Sequence, residues 1–183
     1  VYEGDSYETP FGVLKINKEM CSNLIEESET IFSGIHGHNM EHALEVQLPF
    51  LQVALSNFSI VPLVMGDQSD QYVNELAEKL AKVVDAKTLI VASSDLSHFH
   101  SKQQADILDS RVAKSIAEFD YEGLMKNLAF KNCEACGGGP IIAMMKAAKM
   151  KERNNAKVIA RSDSGYITGD NSEVVGYLSA IVY

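Results

Sequence analysis

The sequence predicts an α/β protein in which helices cover both faces of a mixed central sheet, giving a three-layer sandwich. Segments with strand-like and helical hydrophobic periodicity alternate along the chain, which favours this layered architecture. The sequence has no internal repeat, low-complexity tract or linker. At 183 residues the chain has the length of one domain with a sizeable core, so we predict a single domain over residues 1–183.

The first half of the chain contains five predicted elements. Asn17 is a favourable N-cap residue, and apolar residues recur at helical spacing after it. Pro49 removes a backbone donor inside the second helical pattern, so that helix should kink or break near Gln47. The predicted elements are a strand at 13–16, a helix at 17–27, a helix from Asn39 or Met40 to residue 55, a strand at 59–65 and a helix at 70–84.

The second half opens with the clearest predicted strand. Residues 88–92 (TLIVA) form a continuous apolar run between polar residues, which is typical of a buried strand. Three helices are predicted after it, at 101–119, 121–129 and 138–151. Two terminal strands, at 158–160 and 174–182, should pair with each other through the polar connection at 162–172.

Charge and composition exclude several classes of partner. A formal net charge of −9 argues against nucleic acid or an anionic membrane surface, because both need a positive footprint on the protein. No apolar run approaches the roughly 18 residues of a membrane span. Cys21, Cys133 and Cys136 cannot all pair within the chain, which suits a reducing cytoplasm. The chain starts at Val1 in a loop-like segment, so we expect a piece of a longer polypeptide whose site is partly encoded upstream.

Residues 93–100 (SSDLSHFH) lie between the clearest strand and a predicted helix, where ligands gather in open α/β sheets. The Asp95 carboxylate is close enough in sequence to orient the His98 imidazole and raise its basicity, which suits general acid/base catalysis. Alternatively, Asp95 or a serine caps the following helix and His98 is incidental. His100 is interpreted as peripheral.

Cys136 is the main candidate for thiolate chemistry. It precedes three glycines and Pro140, at the start of a predicted helix whose exposed N–H groups favour a thiolate. A thiolate is both a nucleophile and a soft metal ligand. The alternative is a flexible helix entry with a buried, inert thiol. Cys133 completes only one CxxC pair, a weak zinc signal, and is interpreted with Cys21 as a packing residue.

The histidine-rich segment 36–50 (HGHNMEHALEVQLPF) allows two interpretations. His38 and His42 would lie one turn apart on a helix that starts early, and such a pair can bind zinc, although the HExxH order is absent. Histidines that precede a helix more often cap it or lie in solvent. Local sequence alone does not decide between a metal box and a helix start stabilised by Glu41 and Glu45.

Several separated motifs occur together in a distinctive order. They are EHALEVQLPF at 41–50, SSDLSH at 93–98, ACG at 135–137 and SEVVGY at 172–177. In this combination the chain resembles the MEMO family, also called AmmeMemoRadiSam system protein B, and the likeness extends through essentially the whole chain.

The resemblance implies a fold like that of the class III extradiol dioxygenases, which are non-haem iron enzymes. Two histidines upstream of Val1 would then be metal ligands, with Cys136 as a third. His98 matches an acid/base histidine and Asp95 its neighbour, while Glu41 and His42 would line or brace the cleft where substrate binds. The dioxygenases have a glutamate where this chain has Cys136, and a thiolate ligand favours softer metals, so the expected cofactor is iron or copper.

Three hypotheses for function follow. The first is a cytoplasmic, dioxygenase-related protein with a metal-binding cleft and redox or oxygen-linked activity on a small molecule or peptide. The second is a non-catalytic adaptor that binds a peptide or protein in the same cleft. For either, the resemblance implies AMMECR1-type and radical-SAM proteins as partners. The third, weaker hypothesis is a cysteine hydrolase that uses Cys136 with His98.

Overall fold

A computed structural model of the protein describes residues 1–39 and 41–183. Within these ranges it contains seven helices and five strands, which confirms the predicted α/β class. In chain order they are β1 (Ser6–Thr9), β2 (Gly12–Lys15), α1 (Lys18–Ile25), α2 (Leu48–Ala54), α3 (Asp70–Val83), β3 (His98–His100), α4 (Lys102–Ala117), α5 (Tyr121–Ala129), α6 (Gly138–Met150), β4 (Ala156–Asp163), α7 (Gly165–Thr168) and β5 (Val174–Val182).

The chain begins with a β-hairpin that precedes the first helix. Strands β1 and β2 pair antiparallel from Ser6 opposite Lys15 to Thr9 opposite Gly12, and Gly12 has a φ of 112°, which glycine adopts without strain. The Asn17 side chain accepts a hydrogen bond from the Met20 N–H, so the predicted N-cap of α1 is confirmed. Strand β1 was not predicted, because SYET carries no apolar alternation.

The second helix is shorter than its periodicity predicts. It begins at Leu48, with Pro49 in its first turn, and residues 43–47 form turns instead of helix. Proline is favoured there because its missing N–H would have no partner in the first turn. The predicted break near Gln47 is therefore confirmed and the continuous helix up to residue 55 is wrong. The predicted start at Asn39 is also wrong, and Met40 lies outside the described residues.

Two predicted strands do not form ladders with neighbouring strands. In segment 59–65 only Ile60 forms a β-bridge, parallel to Ile16, and segment 88–92 forms none among the described residues. Outside this bridge, the Pro62 carbonyl accepts a hydrogen bond from the Tyr2 N–H at 3.1 Å, but neither segment forms a continuous ladder within the described chain. Leu89 and Val91 are 67% and 45% exposed, so one side of the second segment faces solvent. The mixed central sheet of a three-layer sandwich stays a prediction.

The largest sheet has the strand order β3-β5-β4, with both pairings antiparallel. Strands β4 and β5 pair from Ala156 opposite Val182 to Asp163 opposite Gly176, which confirms the predicted pairing of the terminal strands. The short strand β3 pairs with β5 through His98 opposite Val175. This pairing places the segment that carries His98 on the edge of the sheet.

The main core supports the two segments that carry the predicted site residues. Leu96 (2% exposed) adjoins Asp95, and Cys133 (1% exposed) lies three residues before Cys136. Both belong to a cluster that includes fully buried Ile142 and Met145 of α6. Each segment is thus held by a buried apolar side chain next to its polar residues. Across residues 1–39 and 41–183, no helix has the length and apolar character needed to cross a membrane.

Candidate functional site

Cys136 and Asp95 are joined by reciprocal hydrogen bonds. The Asp95 N–H donates to Cys136 Sγ at 3.2 Å, and the Cys136 N–H donates to the Asp95 carbonyl at 3.1 Å. The Gly137 N–H also donates to Ser94 Oγ at 2.8 Å, and that oxygen lies 3.7 Å from Cys136 Sγ. The bond from the Asp95 N–H fixes the position of the Cys136 sulfur. These hydrogen bonds hold the loop before α6 against the segment that carries Ser94 and Asp95.

Gly137 is required for this close approach. A Cβ atom at Gly137 would lie 2.5 Å from the Ser93 carbonyl oxygen and 2.9 Å from Ser94 Cβ. Neither atom belongs to the flexible end of a long side chain, so the two segments would have to separate. Within the glycine cluster, Gly137 is therefore needed because it has no side chain to push the two segments apart.

Gln68 ties the start of α6 to the turn before α3. Its Nε2 donates to the Cys136 carbonyl at 2.8 Å, and its Oε1 accepts from the Gly139 N–H at 2.7 Å. Sequence reasoning missed Gln68, because a glutamine after a Gly-Asp turn carries no signal of its own. Both ends of its amide are used, which fixes its orientation.

His98 lies beside the Asp95 carboxylate, as the sequence predicts. Its Nε2 is 3.5 Å from Asp95 Oδ2, and the two side chains are 34% and 50% exposed. Asp95 therefore contacts both candidate groups, Cys136 through its backbone and His98 through its carboxylate. Because the imidazole is part-exposed, it can exchange protons with solvent or a ligand.

Cys136 and His98 line the same cavity, which has a volume of about 880 Å³. One wall is apolar and consists of Met125 and Leu128 on α5 with Ile142 on α6. The lining also includes five polar side chains besides His98, namely Gln68, Ser69, Asp70, Lys131 and Glu134. A mostly apolar lining with a few polar groups is the usual composition of a small-molecule site.

His100, interpreted from sequence as peripheral, contacts the loop that carries Cys136. Its Nε2 lies 3.0 and 3.1 Å from the two carboxylate oxygens of Glu134, and Glu134 lines the cavity. The pair connects β3 to the loop that carries Cys136. Sequence reasoning missed it because the two residues are 34 positions apart and neither lies in a recognisable motif with the other.

Glu41 and His42 do not line this cavity. The Glu41 carboxylate accepts the Ala43 N–H at 2.8 Å, and His42 Nδ1 lies 2.7 Å from Glu45 Oε1. The His42 and Glu45 side chains are 77% and 62% exposed. Among the described residues of the segment, Gln47 contacts the site, and its Nε2 donates to Ser93 Oγ at 3.0 Å. A substrate-binding role for Glu41 and His42 stays a prediction.

The metal-ligand chemistry of the described residues is incomplete. Two cysteines line the cavity, and of these Cys136 is exposed whereas Cys133 is buried, so Cys136 offers the accessible soft donor. Residues 1–39 and 41–183 contain no group of three His, Cys, Asp or Glu side chains that could hold a metal ion. Cys136 thus fits a metal as a single ligand, and a full coordination set needs donors beyond the described residues.

A buried carboxyl group contacts the backbone of the residue before His98. Asp109 of α4 is 4% exposed, and its Oδ1 accepts the Ser97 N–H at 3.1 Å. Burial raises the pKa of Asp109, against the opposing effect of the Ser97 hydrogen bonds. The charged carboxylate is therefore disfavoured in the folded protein relative to the unfolded chain.

Replacing Asp109 by asparagine should stabilise the protein increasingly as the pH rises. The pKa of Asp109 is higher in the folded protein than in the unfolded chain, where it is about 3.9. Below the unfolded value wild type therefore has its full stability, and it loses stability as the pH rises through the folded value. Asparagine carries no charge and keeps an oxygen for the Ser97 N–H. Urea unfolding of wild type and variant from pH 4 to pH 7 checks this, and an advantage of Asp109→Asn that shrinks with rising pH would contradict it.

Comparison with known proteins identifies the family to which these residues belong. The family model described as Memo-like protein matches residues 1–181. The chain belongs to the Memo-like protein family. This confirms the resemblance inferred from the motifs at 41–50, 93–98 and 135–137.

Archaeal relatives of this Memo-like chain cover nearly all of it. MEMO1 family proteins of Methanobrevibacter smithii, Methanosarcina mazei and Methanocaldococcus jannaschii are 36%, 34% and 38% identical to it, over 99%, 97% and 96% of its length. The matched regions are 65%, 67% and 64% of those proteins. The chain thus spans about two thirds of the length of the relatives it matches.

Proposed function

We propose that the protein forms a metal-binding cleft with redox or oxygen-linked activity, in which Cys136 is a thiolate ligand and His98 is the acid/base group. One observation carries the proposal: Asp95 contacts both residues, donating its N–H to Cys136 Sγ and holding its carboxylate 3.5 Å from His98 Nε2. A single residue thereby couples a soft ligand to a proton-transfer group at one cavity.

The chemistry of Cys136 favours a ligand over a nucleophile. Among the described contacts its sulfur has the Asp95 N–H and Ser94 Oγ as partners, and the His98 imidazole is directed to Asp95 instead. A cysteine hydrolase needs a base in contact with the thiol. A metal ligand needs an accessible sulfur with free lone pairs, and Cys136 is exposed.

His98 would hold or deliver a proton at Nε2, and Asp95 would fix the orientation of its ring. The apolar wall formed by Met125, Leu128 and Ile142 would bind the apolar part of a ligand and exclude water from it. A bound iron or copper ion would supply Lewis-acid or electron-transfer chemistry. Its remaining ligands would come from parts of the intact protein outside these 183 residues.

Metal content of the full-length protein tests the role of Cys136. Wild type should retain stoichiometric iron or copper after purification, and Cys136→Ser should lose most of it, because serine replaces a soft thiolate with a weak hydroxyl ligand. Elemental analysis of both proteins measures this. Equal metal content would remove Cys136 from the coordination set.

Cys133→Ser is the matched control for this experiment. Cys133 stands three residues earlier in the same loop, but its side chain is 1% exposed and belongs to the core. The control should keep its metal, although it should unfold at a lower temperature. Metal loss in Cys133→Ser as well would attribute the effect to the loop's packing.

The open, partly apolar cavity also supports the alternative of a non-catalytic adaptor for a peptide or protein. Oxygen uptake by the metal-loaded, full-length protein with ascorbate as reductant separates the two functions. Uptake that falls at least tenfold in His98→Ala supports the enzyme. Bound metal without uptake in wild type would instead favour a binding role, for which AMMECR1-type and radical-SAM proteins are the proposed partners.

A further inference from the structure

The His100–Glu134 pair lies at the edge of the proposed site and has no role in the chemistry described above. His100 is on β3, two residues after His98, and Glu134 is two residues before Cys136. One imidazole nitrogen contacts both carboxylate oxygens, at 3.0 and 3.1 Å. The pair therefore links the strand of the acid/base residue directly to the loop of the thiol.

The other contacts that fix the Cys136 loop lie on either side of Glu134 and do not involve it. Cys133 is buried in the core, and the Asp95 and Ser94 contacts begin only at Cys136. Between these fixed points, Glu134 and Ala135 form neither helix nor strand, and the Glu134 side chain is 40% exposed. The His100 contact is the side-chain bond that holds this middle section against β3.

We propose that His100 and Glu134 are positioning residues, which fix the Cys136 loop against β3 so that the thiol and His98 face the same cavity. Positioning the thiol for metal binding rests on the proposed function. The ordering of the loop by this pair does not depend on that function. Neither residue needs to touch a substrate for this role. An ordered loop preserves the Asp95 N–H to Cys136 Sγ bond that positions the sulfur.

Amide hydrogen exchange in the full-length protein tests the proposal at named atoms. The reporters are the Asp95 N–H, bonded to Cys136 Sγ, and the Gly137 N–H, bonded to Ser94 Oγ. In His100→Ala both should exchange about two- to fivefold faster, because a part-exposed pair contributes modestly to local stability. The Gly123 N–H, bonded to Asp120 Oδ1 at the start of α5, should be unchanged.

Conservative variants separate positioning from a general loss of packing. Glu134→Gln keeps an oxygen that accepts from His100 and should restore exchange to within about twofold of wild type, whereas Glu134→Ala should match His100→Ala. Asp106→Ala removes the carboxylate of the Arg161–Asp106 pair and should leave the reporters unchanged. Unaltered exchange at Asp95 and Gly137 in both alanine variants of the His100–Glu134 pair would overturn the proposal.

The two proposals can fail independently. If wild type binds no iron or copper, the proposed function fails, while faster exchange in His100→Ala still supports the positioning role. If wild type binds metal and both alanine variants keep wild-type exchange, the positioning role fails and the metal site stands. Where both hold, His100→Ala should also weaken metal binding by a similar two- to fivefold factor.

Discussion

Replacing Gly137 by alanine should separate the Cys136 loop from the Asp95 segment and remove the metal-binding capacity proposed for the site. The new Cβ would lie 2.5 Å from the Ser93 carbonyl oxygen, which is backbone and cannot rotate away. Relief requires a backbone shift, which costs about 1–3 kcal/mol of unfolding free energy in a packed region. The same shift lengthens the Asp95 N–H to Cys136 Sγ bond.

Gly138→Ala is the matched control for Gly137→Ala. Its Cβ would also lie 2.5 Å from a neighbouring atom, but that atom is the terminal methyl group Cδ1 of Leu128, which can adopt another rotamer. Urea unfolding and metal analysis of the full-length variants measure both effects. If Gly137→Ala retains wild-type metal content while Gly138→Ala loses it, the steric argument at Ser93 is wrong.

Replacing Gly176 by alanine should be more destabilising still, by about 3 kcal/mol or more. A Cβ at Gly176 would lie 1.8 Å from Oδ2 of buried Asp109. Gly176 also exchanges backbone hydrogen bonds with the site segment, since its carbonyl accepts from the Leu96 N–H and its N–H donates to the Ser97 carbonyl, both at 2.9 Å. The Asp109 carboxylate accepts a hydrogen bond from the Ser97 N–H at 3.1 Å, so moving Asp109 away from the new Cβ would break that bond.

A double-mutant cycle identifies the clash as the cause. Asp109→Ala alone should destabilise the protein, because it leaves the buried Ser97 N–H without its acceptor. Combined with Gly176→Ala, however, it removes the clashing oxygen, so the double variant should be more stable than the sum of the two single effects predicts. Additive losses would contradict the clash. Gly66→Ala has open space around its Cβ and should be close to neutral.

Local patterns predicted the helices well because their determinants lie close together in sequence. Helix α5 has the predicted bounds, and α3, α4 and α6 differ from prediction by at most two residues at either end. The Asn17 cap and the Pro49 break depend on one residue and its neighbours. An apolar run such as 88–92, by contrast, indicates an extended buried segment without naming its pairing partner.

Contacts within the site were predicted where the two residues lie close together in sequence. Asp95 and His98 are three residues apart, so their contact follows from local sequence. The approach of Cys136 to Asp95 spans 41 positions and was inferred from the family resemblance rather than from either segment alone. Gln68 makes its contacts over 68 and 71 positions and lies in no motif, so no local signal identifies it.

The backbone of segment 60–63 is bonded along one of its two edges. Ile60 and Pro62 direct their hydrogen-bonding groups to Asn17, Lys15 and Tyr2, so the peptide groups of the alternate residues Val61 and Leu63 point the opposite way. Within the described chain those groups have no backbone partner. A free edge of this kind accepts a further strand through main-chain hydrogen bonds, which depend little on the side chains that the strand carries.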